Sequence, residues 1–143
     1  MAIVSTRGRY ALRVMIDLAE HNNGAYIPLM DIAMREDISE KYLESILSVL
    51  SRHGLLLALR GRGGGYRLAR TPEDYTVYDI LRLTESSLSP VSCLEGDALP
   101  CPRAGECRTL SLWSGLDKVI INYLGSITLA DLLREDAGED HVI

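Results

Sequence analysis

Ile38-Ser39-Glu40-Lys41-Tyr42-Leu43-Glu44-Ser45-Ile46-Leu47-Ser48-Val49-Leu50 leads through Ser51-Arg52-His53 into Gly54-Leu55-Leu56-Leu57-Ala58-Leu59-Arg60-Gly61-Arg62-Gly63-Gly64-Gly65-Tyr66-Arg67-Leu68. In the first half, Leu43, Ile46, Leu47 and Leu50 fall on one helical line, and Glu40, Lys41, Glu44, Ser45 and Ser48 fall opposite. Ser39 suits the N-cap, and Ile38 before it can pack on Leu43 as a hydrophobic staple. Gly54 stops the helix. The second half sets two apolar runs, Leu55–Leu59 and Tyr66–Leu68, on either side of a turn rich in glycine, the residue that accepts positive φ. That pattern is a β-hairpin.

Two helices precede this stretch. Tyr10, Val14 and Leu18 line up beside Ala11, Met15 and Ala19, so a helix is expected from residue 5 to about 20, closed by His21-Asn22-Asn23-Gly24. Pro28 opens a second helix, Leu29 to about Arg35. Two helices, a recognition-type helix and a two-stranded wing make a winged helix-turn-helix. Downstream, Thr76 caps a helix to about Thr84, with Asp79 three residues on and a Tyr75–Ile80 staple. A long apolar helix is expected over about Thr109 to Tyr123, and Thr128 with Asp131 caps a last short helix to about Leu133.

The expected fold class is therefore mainly α with a small β-wing, a winged helix-turn-helix domain plus a long dimerisation helix. The DNA-binding domain would occupy residues 1–84, a cysteine-bearing sensor segment 85–108, the dimerisation and short final helices 109–133, and an acidic flexible tail 134–143. The long helix carries more apolar positions than one domain face requires, which suits pairing with a second copy through Leu112, Trp113, Leu116, Val119, Ile120 and Tyr123.

The chain has 143 residues and a net charge of −5, which as one number argues against nucleic acid. Divided, it reads differently. Residues 1–70 hold ten basic against seven acidic residues, a net of +3, and residues 71–143 hold five against thirteen, a net of −8. A locally basic half is compatible with DNA contact through one face. No apolar run approaches the roughly 18 residues of a membrane span, and Arg7, Arg9 and Arg13 interrupt the first apolar stretch, so neither an export signal nor a membrane anchor is expected. Together with an odd cysteine count, this favours a reducing cytoplasm.

Arg60 and Arg62 lie on a thin loop whose backbone, at Gly63 and Gly64, can approach a surface closely, with Tyr66 beside it. Cations placed so suit a narrow minor groove and its phosphates. No Lys-Ser/Thr follows the glycines, which sets aside a nucleotide-binding P-loop. On the third helix Ser39, Lys41, Tyr42, Glu44 and Ser45 are candidate DNA contacts, since a carboxylate such as Glu44 can accept from cytosine N4. Ser5, Thr6, Arg7 and Arg9 at the first helix N-terminus can grip a phosphate. No His/Asp/Glu constellation marks a catalytic pocket, so an enzyme is not expected.

All three cysteines, Cys93, Cys101 and Cys107, lie within fifteen residues of one another, in a Gly- and Pro-containing segment. Thiols gathered in this way point to a soft metal or a cluster, with zinc and bare redox-active thiols as the other readings.

Ser5-Thr6-Arg7-Gly8-Arg9-Tyr10-Ala11, Ile38-Ser39-Glu40-Lys41-Tyr42-Leu43-Glu44, the Arg60 to Ala69 wing and Ser126-Ile127-Thr128-Leu129 together resemble the Rrf2 family, over residues 1 to about 133. The resemblance is strongest to its iron–sulfur cluster regulators. It implies homodimeric winged-helix transcription factors, binding double-stranded DNA, whose long helix forms the dimer interface. By position, Lys41, Tyr42 and Glu44 resemble the groove-reading residues, Arg60 the wing arginine, and Cys93, Cys101 and Cys107 the ligands of an iron–sulfur cluster of two-iron two-sulfur type. The chain departs from that pattern at the fourth ligand. Leu110 stands where such regulators carry a histidine, and Arg9 stands near where nitric-oxide sensors carry an aspartate. Glu95, Asp97, Glu106, His141 and an exogenous ligand remain. A cysteine-metabolism branch, controlled by a protein partner or a bare thiol switch, is the alternative.

Overall fold

Ser39 accepts a hydrogen bond from the Tyr42 backbone N–H and starts a helix there, α3 (Glu40–Arg52). In the computed structural model, which describes residues 3–91 and 107–135, α3 buries Leu43, Ile46, Leu47 and Leu50 completely. They meet Ala11, Val14, Met15 and Leu18 of α1 (Thr6–Glu20) and Ile32 of α2 (Leu29–Glu36) in one core. The apolar lines read from the sequence are the lines that pack. α2 runs one residue beyond Arg35 and ends on Asp37, whose φ of 55° places a non-glycine residue in the left-handed region.

β1 (Leu56–Leu59) and β2 (Gly65–Leu68) pair antiparallel, with Leu56 opposite Leu68 and Leu59 opposite Gly65. The wing is tied to the helices by a bond pair that the sequence did not announce. Ile27 donates to the Tyr66 carbonyl at 2.8 Å and accepts from the Tyr66 N–H at 2.9 Å. Gly65 makes this approach possible: its φ is 144°, and a Cβ there would overlap the Ile27 carbonyl oxygen.

A 3-10 turn (Pro72–Asp74) delivers Tyr75 into the core. Its hydroxyl donates to the Leu55 carbonyl at 2.6 Å and accepts from the N–H groups of Ala69 and Arg70 at 3.0 Å each. One side chain thus satisfies the strand entrance and the exit from the wing together.

α4 (Val77–Thr84) and α6 (Leu129–Leu133) begin with the same device. Thr76 with Asp79 and Thr128 with Asp131 form reciprocal capping boxes. The two starts lie side by side: Val77 donates to the Ile127 carbonyl at 2.8 Å, and Leu129 donates to the Tyr75 carbonyl at 2.9 Å. That bridge seats Leu129 in the core around α1.

α5 (Leu110–Ser126) starts one residue after Thr109 and passes Tyr123 by three residues. It ends where Ile127 turns extended to pair with Val77, a tertiary cause that helical periodicity does not encode. Leu124 and Ile127 pack on a second cluster around Val77, Leu81 and Leu88.

Asp17 is the buried charge among the described core residues. Its carboxylate accepts from Arg35 Nε at 2.9 Å and Nη2 at 2.7 Å, which locks α1 to α2.

Candidate nucleic-acid interface

The face of α3 opposite the core leaves Lys41, Glu44 and Ser48 exposed. The wing turn leaves Arg60, Arg62 and Gly63 exposed, with Gly64 and Tyr66 half-buried. Between them lies a cleft of about 380 Å³, lined by Glu44, Ser48, Ser51, Arg52, Arg60 and Tyr66 among others. Glu44 of the helix and Arg60 and Tyr66 of the wing, sixteen or more positions apart in sequence, are thus brought to one cleft, while Lys41, Ser45, Arg62, Gly63 and Gly64 do not line it. Burial holds the Tyr66 phenol above its ordinary range; the Glu44 carboxylate adds to this and the Arg60 cation opposes it. Among the described residues, neither Arg60 nor Arg62 is engaged in an ion pair.

The N-terminus of α1 is arranged differently from the expectation of a simple phosphate grip. Ser5 caps the helix by accepting from the Gly8 N–H at 3.1 Å. Its own N–H and hydroxyl both donate to Glu85 Oε1, at 2.8 and 2.9 Å. Arg7 reaches across to α3 and donates to Ser45 Oγ at 3.2 Å and to the Ser45 carbonyl at 3.0 Å. Ser45 in turn donates to the Tyr42 carbonyl at 2.6 Å. Arg7 and Ser45 are thus engaged with each other. Arg9 is exposed and donates to Thr6 at 3.0 Å. Tyr42 is half-buried, edge-on to Tyr10 with ring centroids 5.8 Å apart. Ser39 serves as the cap of α3 and stays exposed.

Ser48, which the sequence placed on this polar face, lines the cleft. Arg52, which carried no assignment from the sequence, continues the same face at helical spacing, a signal that was available. Glu85 had no such signal, because its partner lies eighty positions away.

Of the three thiols, Cys107 is described, and Cys93 and Cys101 lie outside the described residues, as do Glu95, Asp97, Glu106 and His141. Cys107 is exposed, with Sγ 3.3 Å from Thr109 Oγ1. The Thr109 hydroxyl and backbone lower the thiol's pKa from its ordinary value, which favours the thiolate that a soft metal needs. Among the described residues, no group of three His, Cys, Asp or Glu side chains converges on a metal position.

α5 buries none of its residues. Leu112, Leu116, Val119 and Tyr123 form one apolar stripe, 40% to 64% exposed, with Trp113 and Ile120 half-buried beside it. No helix among the described residues is long and apolar enough to cross a membrane. Most of the 134–143 tail lies outside the described residues.

Comparison with known proteins matches residues 4–135 to the family model "Rrf2: Iron-dependent Transcriptional regulator". Protein rrf2 of Nitratidesulfovibrio vulgaris is 38% identical over 132 residues, 92% of this chain and 87% of that protein. The structure of T. potens IscR has 41% identity and a TM-score of 0.70, covering 91% of this chain and 85% of that one. CymR, described as the global cysteine regulator of B. subtilis, has 38% identity and a TM-score of 0.73, covering 93% and 97%. These relatives regulate transcription and are not enzymes. A winged helix with its cations on the wing, matched over nearly its whole length by such regulators, belongs to the Rrf2 family of transcriptional regulators, in its IscR-like branch.

Proposed function

We propose that this chain acts as a homodimeric repressor that binds double-stranded DNA through α3 and the wing, with an affinity set at Cys93, Cys101 and Cys107 by an iron–sulfur cluster or by thiol redox state. The observation that carries the DNA part is the shared cleft, where the exposed face of α3 meets Arg60 on a glycine-rich turn. In this reading Lys41 and Glu44 address base edges, Tyr42 and the wing backbone at Gly63 and Gly64 lie along phosphates, and Arg60 and Arg62 supply cations. The α5 stripe supports pairing with a second copy: an apolar row this exposed is covered in a stable assembly.

The donor set supports the sensor part. Three thiols in one short segment are soft ligands, and Cys107 sits where the thiolate is favoured. Cys93, Cys101 and Cys107 would hold a cluster of two-iron two-sulfur type. When bound, such a group supplies a centre that exchanges electrons or is attacked by oxidants. The second reading, a thiol switch or partner-controlled regulator, is favoured by the likeness to CymR. It does not require three clustered cysteines, and for that reason stands second.

Selection of duplexes from a random pool by the purified chain tests the DNA reading. Enrichment of a paired half-site is expected. Arg60→Ala should weaken binding and reduce the salt slope by about 1 per protomer. A chain that enriches no duplex overturns the reading.

A further inference from the structure

The N-terminus of α1 is gripped from two sides. From below, Glu85 Oε1 accepts from both the N–H and the hydroxyl of Ser5, at 2.8 and 2.9 Å. A carboxylate at a helix N-terminus also meets the positive end of the helix dipole. Gly8 completes this seat, since a Cβ there would overlap Glu85 Oε1. From above, Arg7 binds Ser45 twice, once on the hydroxyl and once on the carbonyl. Ser45 is one residue from Glu44, which lines the cleft, and four from Lys41, which is exposed on the polar side of α3. Glu85 in turn is the first residue after α4, eight positions before Cys93 in the sequence.

From this geometry we propose that Glu85 is a positioning residue for DNA recognition: it fixes the start of α1, and through Arg7 and Ser45 it sets how α3 presents Lys41 and Glu44. Arg7 then orients the reading helix instead of gripping a phosphate. The proposal rests on the DNA-binding reading above and adds to it the link from the end of α4 to the recognition surface. Ser5, Arg7 and Ser45 act in series, so breaking either grip has the same consequence. A loosened α3 still attracts phosphates, because Arg60, Arg62 and Lys41 keep their charges, but it reads bases poorly.

The test uses the full chain, a duplex enriched by the wild type from a random pool, and a scrambled duplex of the same length, each in a salt titration. Glu85→Ala and Arg7→Lys should each reduce the preference for the enriched duplex about tenfold, with the scrambled duplex bound as before and the salt slope unchanged. The double variant should lose no more than either single one, and Glu85→Gln, which keeps an acceptor at Oε1, should restore most of the preference. Arg7→Lys retains the charge and carries the test if Glu85→Ala folds poorly, as a thermal melt would reveal. A preference that survives both variants overturns the proposal. So do additive losses in the double variant, or a salt slope that falls by about 1 per protomer with Arg7→Ala, the mark of a phosphate contact. A wild-type chain that enriches no duplex refutes the DNA-binding reading itself; one that does, with variants of equal preference, refutes only the role of Glu85.

Discussion

Gly65 and Tyr75 tie the wing to the body of the protein, Gly65 by allowing the close approach of Ile27 and Tyr75 through its shared hydroxyl. A methyl group on Gly65 would meet the Ile27 carbonyl and strain a φ of 144°, so Gly65→Ala should cost about 2–3 kcal/mol in denaturant unfolding. Tyr75→Phe removes the shared hydroxyl and leaves the Leu55 carbonyl and the Ala69 and Arg70 N–H groups without it. That change should cost about 2 kcal/mol, measured by the same unfolding midpoint. A loss below about 0.5 kcal/mol in either variant would contradict the assigned contacts. The glycine run was legible as a turn because turn chemistry is local. Which glycine touches Ile27 was not legible, because that contact spans 38 positions of chain. Asp17 was equally silent: a lone acid on an apolar face acquires meaning only when Arg35 is brought to it.

Among the elements, those with local start signals were readable to within a residue. Ser39, Thr76 and Thr128 each bond to a group three positions ahead, so the cap and its partner are visible in one short window. α5 was visible as an apolar stripe, but its end was set by the Ile127 and Val77 pairing and so ran past the expected Tyr123. The stripe carries its own prediction. Val119 is 62% exposed in the single chain, so Val119→Asp should leave the fold's stability within about 0.5 kcal/mol when the chain is monomeric. The wild type is expected to sediment as a dimer, and the same change should leave the variant a monomer in sedimentation equilibrium. A wild type that sediments as a monomer at tens of micromolar, or a variant that stays dimeric, would contradict pairing through this face.

For the whole molecule, the charge division became a geometry among the described residues: the basic half supplies the α3 and wing cleft, and the acidic half supplies α4, α5 and α6. The two halves are not separate bodies in the core, because Leu129 of α6 packs with α1. The fold and the cleft between α3 and the wing were legible because periodicity, caps and a glycine-rich turn are written in adjacent residues. The proposed ligand set was legible only as three thiols close in sequence. A fourth ligand is chosen by proximity in space, and no spacing in the chain reports it. The link between thiols and DNA is most directly tested on protein purified without oxygen, by measuring its iron, sulfide and visible absorption alongside its affinity for an enriched duplex before and after iron chelation. Iron and sulfide in matching amounts, a coloured protein, and an affinity that changes on chelation are the expected result. A colourless, iron-free chain after reconstitution, with one unchanged affinity throughout, would contradict a cluster at Cys93, Cys101 and Cys107.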